Sequence, residues 1–113
     1  MKSLMNETKQ YGVVLVTAES EEQARAIASS LVKENYAACV SMMPVQSVYT
    51  WQEEVHSDPE WQLMIKTDLN QYSQVEARIK ELHSYEVPEI IALPIQTGLT
   101  PYLNWIGENV APQ

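Results

Sequence analysis

The segment His83-Ser84-Tyr85-Glu86-Val87-Pro88-Glu89 gathers an imidazole, a phenol and two carboxylates in one short stretch. Imidazole nitrogen and carboxylate oxygen are the donors that borderline divalent metals such as copper and zinc accept. The stretch falls between an amphipathic run and an apolar run, which makes it a loop, and loops are where binding groups concentrate. A transition-metal site needs about three or four donors, and His83 with flexible acids is the beginning of one. A second reading stands beside it: His83 caps the C-terminus of the preceding helix, where a partly positive ring is favoured.

Other reactive side chains are sparse. Lys66 sits in an otherwise apolar strand, Ile65-Lys66-Thr67. It either snorkels to solvent or pairs with a carboxylate such as Glu86 or Glu89, and in both cases it could line a cleft between subunits. Tyr49 and Trp51 suit interface packing better than stacking on nucleotides, because no basic partners surround them. Cys39 lies in Ala37-Ala38-Cys39-Val40, where a cysteine is expected to behave as a small buried hydrophobe. His56, beside Glu54 and Asp58, is expected in a solvated hairpin tip.

No catalytic motif is visible, and a non-enzymatic protein is expected. The three glycines, Gly12, Gly98 and Gly107, are too far apart for a phosphate loop, and neither GxSxG nor HExxH occurs. A single cysteine excludes an intrachain disulfide and a CxxC zinc site. The net charge of −8 argues against nucleic acid and anionic membranes as partners and suits cations. The first residues, Met1-Lys2-Ser3-Leu4-Met5, lack the apolar region of a signal peptide, and no run approaches the length of a membrane span. A cytoplasmic location is the resulting expectation.

The elements that must position these residues follow from periodicity. Residues 1–10 are polar and read as a flexible N-terminal tail, followed by a single domain over 11–110. Tyr11–Thr17 is a β-branched run typical of a central strand. Ser20 and Gln23 have capping-box spacing, and Ala24, Ile27, Ala28, Leu31 and Val32 then mark a helix face. Tyr36–Met43 starts a second strand, interrupted at Pro44 and resumed over Val45–Trp51; such a proline indicates an edge or a bulge. Gln52–Asp58 with Pro59 reads as the turn, and Trp61–Thr67 as the returning strand. Asp68 opens a second helix with Leu69, Tyr72, Val75, Ile79 and Leu82 inward; Glu89–Ile95 is the last strand. Thr100 as N-cap with Pro101 at the first helical position begins a short C-terminal helix. This α+β order, βαββαβ plus one helix, is that of a ferredoxin-like split βαβ unit with an antiparallel sheet. Its helix-free face carries Tyr49, Trp51 and methionines, and a neighbouring subunit is the economical cover.

Several spaced motifs resemble the CutA family of divalent-cation tolerance proteins. They are Leu31–Val40, Ser47–Trp51, Ile65-Lys66-Thr67, Leu82–Ile91 and Tyr102–Ile106, which together span residues 12 to about 108. The resemblance implies a tight homotrimer joined by strand pairing through the long hairpin. It also implies a cytoplasmic protein linked to tolerance of copper and other divalent metals. Trp51, Lys66, Tyr85, Glu86 and Glu89 become candidates for an intersubunit cleft, with His83 as the metal ligand. A PII-like regulatory module that binds a small metabolite in that cleft, Lys66 being the charge partner, is the alternative.

This chain departs from the family's usual residues at four places. Ser84 replaces a proline, Glu53 replaces a glycine after the hairpin tryptophan, and Val16 and Leu82 stand where some copper-binding members carry cysteine and a second histidine. Of those donors only His83 is present, so Glu86, Glu89 or a neighbouring subunit would have to complete a site.

Overall fold

The computed structural model describes residues 8–113, and the expected tail over 1–7 lies outside the described residues. Residues 8–10 are pinned to the domain. Gln10 N–H donates to Asp68 Oδ1 at 3.1 Å, Lys9 Nζ lies 3.6 Å from Asp68 Oδ2, and Asn70 donates to the Thr8 carbonyl at 2.9 Å.

Four strands, β1 (Tyr11–Ala18), β2 (Cys39–Trp51), β3 (Glu54–Asp68) and β4 (Ile90–Pro94), form an antiparallel sheet in the order β2-β3-β1-β4. Three helices complete the fold: α1 (Glu21–Lys33), α2 (Tyr72–Leu82) and α3 (Thr100–Glu108). This is the ferredoxin-like arrangement that the element order predicts.

Alternation along β1 and β3 explains the layering. Val14, Val16 and Ala18 face the same side as Leu63 and Ile65, and they are sealed there by Ala24, Ile27 and Leu31 of α1 and Val75 and Ile79 of α2. All of these side chains are fully buried. On the opposite side, Ile91 and Leu93 remain half exposed. Only a small second cluster of Ala38, Ile106 and Val110, with Tyr11, Ile95 and Leu103, covers the end of the sheet beneath α3.

Helix ends behave largely as their residues dictate. Ser20 caps α1, its oxygen accepting from Gln23 N–H at 3.1 Å, with Glu21 and Glu22 in the first turn. At the other end Asn35 takes φ 65°, Tyr36 N–H reaches the Leu31 carbonyl at 2.9 Å and Asn35 N–H the Val32 carbonyl at 3.2 Å. That is a Schellman motif with asparagine in the left-handed position. The second strand therefore begins at Cys39 rather than Tyr36, because residues 34–36 are committed to closing the helix. Asp68 does act as a cap, but of a 3₁₀ turn, Leu69–Gln71, that precedes α2. For α3 the cap is Leu99 and not Thr100, since Tyr102 and Leu103 N–H both point to the Leu99 carbonyl at 3.0 Å.

The hairpin is longer than the sequence suggests. Pro44 does not interrupt β2, which pairs with β3 continuously from Cys39↔Lys66 to Trp51↔Glu54. An edge strand tolerates proline because half its N–H groups point away from the sheet. The polar residues 54–58, expected as a turn, are strand, and the connection shrinks to Gln52 and Glu53. Both have positive φ, 52° and 66°, as a type I′ turn requires. Polarity misleads here because neither side of this ribbon packs on the core of its own chain, so no alternation is imposed. β1 stops at Ala18, opposite Trp61, and the part of β3 before Trp61, with the β2 residues it pairs, is a two-stranded arm. The arm stretches the molecule to 54 × 27 × 25 Å.

Candidate functional site

Three hydrogen bonds fasten the loop between α2 and β4 to the rest of the domain. His83 Nε2 bonds the Thr17 carbonyl at 2.7 Å, Ser84 Oγ donates to Gln23 Oε1 at 2.8 Å, and Tyr85 OH donates to Glu60 Oε2 at 2.8 Å. Thr17 lies one residue before the end of the central strand, Gln23 is in the first turn of α1 and Glu60 stands where the arm leaves the sheet. The loop therefore sits at a corner that three elements define, and Ser84 ties it to α1.

His83 itself is fully committed. Its Nδ1 accepts the Tyr85 main-chain N–H at 3.0 Å, which leaves the proton on Nε2 to donate to Thr17. The expectation that His83 offers a nitrogen to a metal meets this obstacle: either ligation would break a main-chain hydrogen bond. The capping reading describes its position, since His83 is the C-cap of α2 and its N–H bonds the Ile79 carbonyl at 2.9 Å. Its ring lies against Tyr85, centroids 4.8 Å apart.

Between this loop and the arm opens a cleft of about 600 Å³. Tyr49 and Trp51 of β2 line one wall, Tyr85 with Val87 the other, and Glu60, Glu86 and Glu89 add carboxylates. Trp51 is 60% exposed. No lysine or arginine lines the cleft, and none of its three glutamates makes an ion pair among the described residues. Burial, then the hydrogen bond to Glu60, then the negative charges of Glu60 and Glu19 push the Tyr85 phenol well above the ordinary tyrosine range. Tyr49 is likewise shifted upward, mainly by donating to Asp58.

Of the residues singled out from sequence, Trp51, Tyr85, Glu86 and Glu89 come together in this cleft. Lys66 does not. It pairs with Val13 and Cys39 in the sheet, its Nζ donates to Ser41 Oγ at 3.0 Å, and among the described residues it makes no ion pair. It lies six residue steps along β3 from Glu60, roughly 20 Å at the usual rise per residue. Tyr49 and Glu60 complete the cleft, and sequence reasoning had assigned Tyr49 to packing and given Glu60 no role. The signal for both was their place on one face of the arm, which is invisible while residues 54–58 read as a turn. His56 is in β3, stacked on Tyr49 with ring centroids 5.7 Å apart, not in a hairpin tip. Cys39 is half-buried, not buried, because it faces the side of the sheet away from α1 and α2, near Tyr102 of α3.

A ferredoxin-like domain with a projecting two-stranded arm and an acidic, aromatic cleft along it defines the structural class. Residues 12–109 match the CutA1 divalent ion tolerance protein family. The chain belongs to that family. It is 50% identical over 98 residues to the divalent-cation tolerance protein CutA of Thermus thermophilus, covering 86% of this chain and 95% of that one. The solved structure of the Thermus thermophilus protein superposes with a TM-score of 0.87 at 48% identity, covering 89% of this chain and 99% of that one. CutA1 from Oryza sativa superposes with a TM-score of 0.90 at 37% identity, over 94% and 98% of the two chains. A similar structure from Archaeoglobus fulgidus, 35% identical with a TM-score of 0.87 over 89% and 99%, is described as a periplasmic divalent cation tolerance protein. Among the described residues no helix is long and apolar enough to cross a membrane.

Proposed function

We propose that the chain works as a homotrimeric, non-enzymatic divalent-cation tolerance protein that responds to metal ions such as copper. Membership of the divalent-cation tolerance family over residues 12–109 is the observation that carries this reading. The acidic surface is in accord with it, since the net charge of −8 raises the local concentration of cations.

Within one chain the donors do not form a closed metal site. Among the described residues no group of three or more histidine, cysteine or acidic side chains converges. The ion would therefore meet Glu86 and Glu89 at the cleft rim, both exposed, with water or a second copy supplying further oxygens. Carboxylate-only sites of this kind bind loosely, with copper ahead of zinc and manganese in the usual order.

Homotrimer formation answers the exposed apolar surface. Val48, Val55 and Trp51 on the arm are 68%, 76% and 60% exposed, and Ile91 and Leu93 leave the second sheet face open. A patch of this kind on a soluble chain calls for a partner surface. The cytoplasm is the compartment of this proposal, and cell fractionation distinguishes it from a periplasmic one. The PII-like alternative would need Lys66 from a neighbouring copy, because within one chain Lys66 lies outside the cleft.

Copper titration of the intact assembly, beside a Glu86→Gln/Glu89→Gln variant, tests the metal reading. Affinity should fall about tenfold when two charged donors become neutral amides. Equal binding by both proteins would remove the cleft rim as the copper site.

A further inference from the structure

We draw no further inference here: the strongest candidate, the shallow groove on the helix side between α1 and the edge strand β2 lined by Ala28, Val32, Lys33 and Val40, lies clear of the arm and the open sheet face, but nothing in the structure shows what covers it.

Discussion

His83 and Thr17 are joined side chain to main chain, the imidazole Nε2–H donating at 2.7 Å to the carbonyl one residue before the end of the central strand. With Nδ1 occupied by Tyr85 N–H at 3.0 Å, the ring is a rivet between the sheet and the cleft loop. A histidine in this state is structural by its bonding, whatever its neighbours could coordinate.

His83→Ala should accordingly destabilise the fold by about 2–3 kcal/mol, two hydrogen bonds to partly buried main-chain groups being lost together. Copper affinity should stay within about twofold of wild type, because neither nitrogen is free to ligate. Chemical unfolding and metal titration on one preparation check both statements. A stable variant with lost copper binding would reverse the assignment.

The hairpin turn offers the opposite sign. Gln52 and Glu53 both hold positive φ, at 52° and 66°, a region that costs side chains of this kind about 1 kcal/mol each. Glu53→Gly should raise stability by about 0.5–1 kcal/mol, and Gln52→Asn added to it should raise it further. An unfolding midpoint that stays put or falls would show that the turn is relaxed by contacts outside the single chain.

Tyr85 gives the alkaline limit. Its phenol ionises at higher pH in the folded protein than when unfolded, because burial and its bond to Glu60 favour the protonated form. The stabilisation is thus complete below the unfolded value near pH 10 and is lost as pH rises beyond it toward the folded value. Tyr85→Phe should cost about 1–2 kcal/mol at neutral pH, as for a hydrogen bond to a charged group. It should also flatten the fall in stability above about pH 10. Stability profiles of the two proteins that run parallel through the alkaline range would contradict this.

How far these features could be read from sequence depends on what each residue faces. Val14, Val16, Leu63 and Ile65 are buried on one side by two helices, and the apolar runs that carry them made both strands and the ferredoxin-like element order legible. The arm has no such constraint. Glu54, Ser57 and Asp58 pack against no core of their own chain, and a strand without a buried face in its own domain looks like a turn. Once that stretch is misread, Glu60 and Tyr49 cannot be placed together with Tyr85. The loop residues Glu86 and Glu89 were legible as a cluster, whereas the commitment of His83 was not. A hydrogen bond to a carbonyl more than sixty residues away leaves no local pattern.

The central claim is that other copies of the chain cover the arm and the open sheet face. Molar mass in solution by light scattering tests it most directly. Three times the chain mass of 12.9 kDa, constant on dilution, is the predicted result. A stable monomer would leave Trp51, Val48, Val55, Ile91 and Leu93 exposed to water and would contradict the account.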